Sequence, residues 1–176
     1  HGNYIALGHD LNPGFVLLDH TTPGSVSLAA TYTLPSDGNA VDFSPDGNYI
    51  AVGHQDAPNF TLLDHTTPGS VSLAATYTLT DDGRGVSFSP DGNYIAVGHG
   101  SGPRFVLLDH TSAGSVSLAA TYSLPGTGNS VYFGPNGDYI AVAHNNGDFF
   151  TLLDHTTPGS VSLAATYTLP NRSEER

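Results

Sequence analysis

Residues 86–99 have the sequence VSFSPDGNYIAVGH, and residues 105–111 continue it with FVLLDHT. The triplet PDG at 90–92 is a turn signal between two short runs that are rich in valine, isoleucine, tyrosine and phenylalanine. Glycines and a proline over 98–104 separate the second run from the third. Because no apolar residues recur at the i, i+3, i+4 and i+7 positions of a helix, the stretch predicts three consecutive β-strands.

The same unit occurs four times in the 176-residue chain. One block reads GNYIA or GDYIA, and a second reads SVSLAATYTL with one Thr-to-Ser change in its third copy. Successive copies are 45 residues apart and begin at Gly2, Gly47, Gly92 and Gly137, and at Ser25, Ser70, Ser115 and Ser160. Such close repetition indicates one structural unit copied in tandem. In the third unit we predict strands a to d at Val86–Ser89, Tyr94–His99, Phe105–Asp109 and Ser115–Leu124.

Four antiparallel strands in a repeat of 45 residues are typical of one blade of a β-propeller. We therefore predict an all-β propeller that forms a single repeat domain over residues 1–176. Its repeats are 2–46, 47–91, 92–136 and 137–170, followed by a polar tail at 171–176.

Strand a, the innermost strand of a blade, occurs only at Val41–Ser44, Val86–Ser89 and Val131–Gly134, so fifteen strands are predicted rather than sixteen. Two arrangements remain open: a four-bladed monomer with one incomplete blade, or a ring shared by more than one chain. Flat blades with small residues such as Ala29-Ala30 suit a larger ring, because its blades lie more nearly parallel. We favour half of an eight-bladed ring, which a homodimer completes.

The order of strands and turns in VSFSPDGNYIAVGH and FVLLDHT resembles that of WD-repeat and YVTN-type β-propellers, and the likeness extends over almost the whole chain. Two features differ. Leucine replaces the tryptophan of the Trp-Asp dipeptide, and the Gly-His pair ends strand b, as at Gly53-His54, instead of preceding strand a. The resemblance implies a propeller fold, but the side-chain tetrad of true WD repeats, and any partner site that depends on it, is not transferred.

Differences between the repeats fall in the b–c and d–a loops, which leave the same side of a ring of up-and-down blades. The a–b and c–d turns on the other side hardly change. Because loops on a rigid scaffold often carry specificity, we predict a binding face for a protein or a glycan. Its candidate residues are Arg84, Arg104, Tyr132, Phe149, Asp56, Asn59 and Asp82. Drift in tolerant loops is the alternative, as is a purely structural repeat assembly or a piece of a longer propeller protein.

Histidine and aspartate invite a catalytic interpretation. Eight of the nine histidines recur with the repeat, and equivalent residues of successive blades lie about 10 Å apart or more, too far for one metal ion. Neighbours such as Asp19-His20 point to opposite faces of a strand and do not form a hydrolase dyad. We expect structural hydrogen bonds from the histidines, and no enzyme activity, cofactor or metal. The catalytic alternative is a lactonase-like hydrolase with a funnel metal, for which only Asp42 and Tyr132 are suitably placed.

Composition restricts the partners. With four arginines, no lysine and 16 acidic residues, the net charge is −12, so nucleic acids and anionic membranes are poor partners. The absence of cysteine excludes disulfides and thiolate chemistry. Apolar runs are far shorter than a membrane span. The chain begins at His1 and has no methionine, which favours a processed chain or an excised fragment, and composition gives no localisation.

Overall fold

The computed structural model describes residues 2–169, which form fifteen β-strands and, within that range, no helix. Each strand pairs antiparallel with its neighbours in sequence, and this gives one three-stranded blade and three four-stranded blades. The strands of blade 1 are β1 (Tyr4–Gly8), β2 (Gly14–Asp19) and β3 (Ser27–Thr33); those of blade 2 are β4 (Gly38–Phe43), β5 (Tyr49–His54), β6 (Asn59–Asp64) and β7 (Ser72–Thr78). Blade 3 contains β8 (Gly83–Phe88), β9 (Tyr94–His99), β10 (Arg104–Asp109) and β11 (Ser117–Ser123), and blade 4 contains β12 (Gly128–Phe133), β13 (Tyr139–His144), β14 (Phe149–Asp154) and β15 (Ser162–Thr168).

The predicted all-β propeller architecture is confirmed, and among residues 2–169 the first blade has three strands and no strand a. In the part of the chain that the structure describes, nothing has the length and apolar character of a membrane-crossing helix. The predicted polar tail at 171–176 lies outside the described residues.

In the third unit, two strands begin more than one residue away from the predicted position, and the other differences are of a single residue. β8 begins at Gly83, earlier than predicted, because the strand continues through a bulge into the d–a loop. β11 begins at Ser117, later than predicted, because the Ser115 amide donates to the Ser112 carbonyl (3.0 Å) and belongs to the preceding turn.

Apolar side chains pack in layers between successive blades instead of in one central core. In β5, Ile50 and Val52 face blade 1, whereas Tyr49 and Ala51 face blade 3. This is the period of two that a strand imposes on its side chains. Because every blade inside the array is packed on both sides, β5 is buried along its whole length.

Close approach of the inner strands requires glycine at one repeat position. A Cβ on Gly98 would lie 2.6 Å from the carbonyl oxygen of Gly128 in the next blade. Gly53 and Gly83 repeat the contact one blade earlier, with a Cβ-to-oxygen distance of 2.9 Å. Any larger residue would force neighbouring blades apart where the loops emerge.

Among residues 2–169 no apolar layer joins blade 4 to blade 1, and each of these blades has one open face. The repeat identifies the residues of both faces, because their equivalents in the inner blades line the buried layers. We call the open side of blade 4 the tail face; its residues are Tyr132, Tyr139, Ala141, Phe150, Leu152, Tyr167 and Leu169. We call the open side of blade 1 the head face; its residues are Ile5, Leu7, Val16, Leu18 and Val26.

Candidate functional site

The b–c and d–a loops lie together on one side of the blades, which we call the variable face. The Gly100 amide in the b–c loop of blade 3 donates to the Asp82 carbonyl in the preceding d–a loop (3.2 Å). One blade earlier the Gln55 amide donates in the same way to the Asp37 carbonyl (3.2 Å). The residues that differ between repeats therefore share one surface, held by backbone hydrogen bonds between the loops.

Arg84 lies in a pocket on this face, at the start of β8, the inner strand of blade 3. The pocket has a volume of about 270 Å³, and its other lining residues are Asn39, Gln55, Asp82 and Asn129. Arg84 Nη2 donates to Asp82 Oδ2 over 3.3 Å, and the two side chains are 45% and 22% exposed. Asn39 is fixed in the pocket because its Nδ2 donates to the Gly83 carbonyl (3.0 Å). One guanidinium, one carboxylate and three amides thus surround a space that suits a polar or charged ligand segment.

A groove of about 480 Å³ runs from this pocket along β4, β8 and β12. Tyr132 borders the groove and is 67% exposed. Asp42 also borders it, but its Oδ2 accepts a hydrogen bond from the Phe88 amide of the next blade (2.8 Å). Burial raises the pKa of Asp42, and the hydrogen bonds from the backbone oppose that shift. The Asp42 carboxylate therefore links two blades.

Asn59, Arg104 and Phe149 occupy one repeat position, at the start of strand c. Their φ angles of 70°, 64° and 64° are left-handed, a region where non-glycine residues are uncommon. Asn59 Nδ2 donates to the Gln55 carbonyl (2.6 Å), and Arg104 Nη1 donates to the Leu124 carbonyl (2.9 Å). Both polar side chains hold loop backbone in place.

The structure brings together only part of the predicted set. Arg84 and Asp82 form the pocket, and Tyr132 lines the adjoining groove. Phe149 is half-buried at the start of β14, two strands away from the inner strand. Asp56 is exposed in the b–c loop of blade 2, where its amide donates to Ser36 Oγ (2.5 Å).

Three pocket residues were not predicted: Asn39, Gln55 and Asn129. Asn39 and Asn129 lie one repeat before and one repeat after Arg84, so the three share one position at the start of strand a. The repeat spacing was therefore the signal, since equivalent inner-strand residues surround the axis of a propeller. Gln55 has no such signal, because only the course of the b–c loop brings it to the pocket.

The histidines are mostly buried and make local hydrogen bonds. His65 Nδ1 donates to the Gly47 carbonyl (2.9 Å), and His110 and His155 make the equivalent bond in the next two blades. On strand b, His54 is fully buried against Thr61 Oγ1 (3.0 Å), and burial lowers the pKa of His54 and of His99. Within residues 2–169 no three metal-ligating side chains are grouped as an ion would require.

Three equivalent clefts of about 250, 300 and 350 Å³ lie on the opposite face, between successive blades. Two of the carboxylates that line them, Asp46 and Asp91, are engaged within their own turns. Asp46 Oδ1, for example, accepts from the Ser44 hydroxyl (2.6 Å) and the Asn48 amide (3.0 Å). Two of the cleft carboxylates are therefore already paired within the protein.

Residues 24–57 match the family model described as "WD domain, G-beta repeat", which confirms the predicted resemblance to WD-repeat propellers. No curated protein matches the chain. Among solved structures, a "putative 6-phosphogluconolactonase" from Bacteroides uniformis has a TM-score of 0.78 at 14% identity, over 96% of this chain and 53% of its own. A chain of the mitotic checkpoint complex has a TM-score of 0.79 at 14% identity, over 97% and 51%. Sqt1 from Chaetomium thermophilum has a TM-score of 0.72 at 20% identity, over 90% and 42%.

These identities are low enough that the overlays show the fold alone. The chain spans about half the length of the solved structures that it matches, 53% and 60% for the first two.

Proposed function

We propose that the chain is a non-catalytic interaction module that binds a protein partner through the variable face. The convergence of Asn39, Arg84 and Asn129 beside loops that differ between repeats carries this proposal. An exposed ion pair such as Arg84–Asp82 is worth about 0–1 kcal/mol, so a carboxylate of the partner can replace Asp82 at little cost. The amides of Asn39 and Asn129 add hydrogen-bond donors to a peptide backbone or an acidic side chain.

A protein is a better-supported partner class than a glycan. One solved structure of this fold is Sqt1 bound to the N-terminus of ribosomal protein L10, and another belongs to the mitotic checkpoint complex. These associations are properties of those proteins. They support the proposal that a peptide segment occupies the Arg84 pocket of this chain. The net charge of −12 repels acidic partners at long range, so we expect recognition to be local and to tighten as salt screens that repulsion.

Two observations support a non-catalytic role. Asp19 Oδ1 accepts from the amide and hydroxyl of Thr21 (2.7 and 2.6 Å), while His20 Nδ1 donates to the Ser25 carbonyl (2.8 Å). The Asp-His pair is thus directed to two different turns. Asp42, the acidic residue that a lactonase-like metal site would use, is bonded to the next blade.

Selection of peptides from a displayed random library against the immobilised chain tests this function. We expect acidic peptides to be enriched by the wild type and lost with Arg84→Ala, which removes the only cation of the pocket. Thr67→Ala, an exposed position on the opposite face, is the matched control and should leave the enrichment unchanged. No enrichment, or enrichment that survives Arg84→Ala, contradicts the proposal; hits on a glycan array that Arg84→Ala abolishes would instead make a glycan the ligand.

We propose further that the chain works as half of an eight-bladed ring that a second copy completes. The open head and tail faces support this, because Ile5 is 44% exposed whereas its equivalents Ile50 and Ile95 are fully buried. The overlays also support it, since four blades superpose on about half of a longer propeller chain. Light scattering should give a mass of 36.6 kDa, twice the 18.3 kDa of one chain. A mass of 18.3 kDa would refute self-association.

A further inference from the structure

One contact between blades is repeated three times on the face opposite the variable loops. The ring of a strand-b tyrosine packs edge-on against a histidine of the next blade, with centroid distances of 5.0, 4.9 and 4.9 Å for Tyr4–His65, Tyr49–His110 and Tyr94–His155. Behind each tyrosine hydroxyl lies a glycine in a left-handed turn, at Gly69, Gly114 and Gly159. A Cβ on these glycines would lie 3.3–3.4 Å from the hydroxyl oxygen, so glycine leaves just enough room for the tyrosine. Edge-to-face aromatic pairs of this kind favour one relative placement of two blades.

The fourth tyrosine and the fourth glycine lie at opposite ends of the chain without this contact. Tyr139 is 44% exposed, whereas Tyr49 and Tyr94 are each 9% exposed. Gly24 has no atom within 4 Å of the position that its Cβ would take. His20, which precedes Gly24, shares its repeat position with His65. The tail face thus carries one half of the contact, and the head face carries the other half.

The surrounding apolar residues show the same division. Leu169 on the tail face is 50% exposed, but Leu79 and Leu124 at the same repeat position are 6% and 2% exposed. Leu7 on the head face is 48% exposed, while Val52 at the same position is fully buried. Neither face has a charged side chain among its defining residues, so the charge of the loops does not oppose their contact at close range.

We propose that a second copy of the chain docks head to tail, with Tyr139 of one copy packed against His20 and Gly24 of the other. This inference rests on the self-association proposed above and specifies its interface. The two faces are the two sides of an interface that the chain already forms between its own blades, so they fit each other and not themselves. Copies joined by such a head-to-tail contact form a closed ring only if the rotation that relates one copy to the next returns to the first copy. With four blades in each copy, two identical junctions close one ring of eight.

Tyr132 fits the same junction. At its repeat position, Asp42 and Ser87 accept hydrogen bonds from the inner strand of the next blade, from the amides of Phe88 and Phe133. Blade 1 has no inner strand among the described residues, so a second copy docked on blade 4 offers no such amide there. The phenol ring of Tyr132 fills the space instead and packs against β1 of the second copy. This accounts for the change from Asp42 and Ser87 to a tyrosine at a position that faces the junction.

Substitutions that disable one face at a time test the register. Ile5→Asp places a charge on the head face, and Tyr139→Asp places one on the tail face; both residues are 44% exposed, so one chain tolerates the change. Leu73→Asp is the control, because Leu73 is 52% exposed on the outer strand of an inner blade, away from both faces. A buried unpaired charge at an interface weakens association roughly a hundredfold or more. Light scattering of each variant, and of a mixture of the two, gives the result, after circular dichroism has shown that each is folded.

We expect the wild type and Leu73→Asp to be dimers, and Ile5→Asp and Tyr139→Asp each to be monomers. An equal mixture of the two end variants regains a dimer, because one intact tail face meets one intact head face. If the wild type is monomeric, both self-association and this interface are refuted. If the wild type is a dimer and either end variant alone remains one, the copies meet through like faces and only the head-to-tail register is refuted. Species larger than a dimer would refute closure of the ring. Ile5→Ala and Tyr139→Ala replace an Asp variant that loses its β-sheet signal.

Discussion

The layered packing predicts that one substitution has two different costs at one repeat position. Ile95 is fully buried between blades 2 and 3, and Ile5 is 44% exposed on the head face. Ile95→Ala removes buried apolar surface and leaves a cavity, which costs about 2–5 kcal/mol in the free energy of unfolding. Ile5→Ala removes surface that is only partly buried and leaves no enclosed cavity, so about 1 kcal/mol is expected in a single chain.

Urea unfolding of both variants, followed by circular dichroism, measures this difference, and protein concentration adds a second variable. In dilute solution the cost of Ile5→Ala should stay well below that of Ile95→Ala. In concentrated solution a second copy covers the head face and stabilises the folded wild type by mass action, so the cost of Ile5→Ala should rise. Ile95→Ala should show no such rise beyond the wild-type dependence, because its neighbours belong to the same chain.

Equal costs in dilute solution would refute the argument that the adjacent blade supplies the burial of Ile95. A cost for Ile5→Ala that is independent of concentration would refute coverage of the head face by a second copy. If Ile95→Ala fails to fold, the same comparison can be made with Ile95→Val and Ile5→Val. The expected cost is about 0.5–1.5 kcal/mol at the buried position, and less at the exposed one.

Three further predictions concern hydrogen bonds and pH. Burial lowers the pKa of His54 and His99, so below about pH 6.5 the unfolded chain binds more protons than the folded chain and the free energy of unfolding falls. Replacing both histidines with glutamine should flatten the slope of the free energy of unfolding against pH between about pH 7 and 5. An unchanged slope contradicts this prediction. Hydrogen bonds from the Thr66 hydroxyl and amide lower the pKa of Asp64, so the Asp64 carboxylate stabilises the fold above about pH 4 and loses this effect as the pH falls further. Asp64→Ala should therefore lower the melting temperature at pH 7 but have little effect in acid. An equal effect at both pH values would contradict this prediction. Asp42→Ala leaves the Phe88 amide without its acceptor and should lower the free energy of unfolding, measured by thermal unfolding, by about 1–3 kcal/mol. Asp42→Asn keeps an acceptor and should lower it by less. Similar losses in the two variants would show that this hydrogen bond is unimportant.

The repeat made the strands predictable, and the loops were less so. Strand b at Tyr94–His99 was predicted to the residue, because two turn signals enclose it and its apolar residues are continuous. The start of β8 was missed, because a bulge carries the strand into glycine-containing loop sequence that resembles a turn. Sequence alone gives the spacing of turns, but not the path of the backbone through them.

The candidate site was predictable only in part for a related reason. Arg84 and Arg104 look alike in sequence, since each is a single arginine in a loop that varies. The structure separates them, because Arg84 lies at the start of an inner strand beside the axis, while Arg104 begins the third strand of its blade and donates to the Leu124 carbonyl. The distance of a residue from the propeller axis depends on the order of the strands within its blade. Whether its side chain is free to bind a ligand depends on the backbone carbonyls nearby, and the sequence pattern does not specify them.

Packing explains why the repeats stay alike where they do. Alternate residues of a strand in an inner blade, such as β5, face two different blades, so a change in side-chain size is resisted from both sides. The variable loops are joined by backbone hydrogen bonds, which form whatever the side chain, and by side-chain bonds that differ from one repeat to the next. Tyr132 is the informative exception: it differs from its equivalents and lies on the tail face, which no blade among residues 2–169 covers. The ring of Tyr132 is 67% exposed and lies where a second copy would offer no inner strand. The residue thus differs from its equivalents at the position where the hydrogen bond to a neighbouring inner strand is missing.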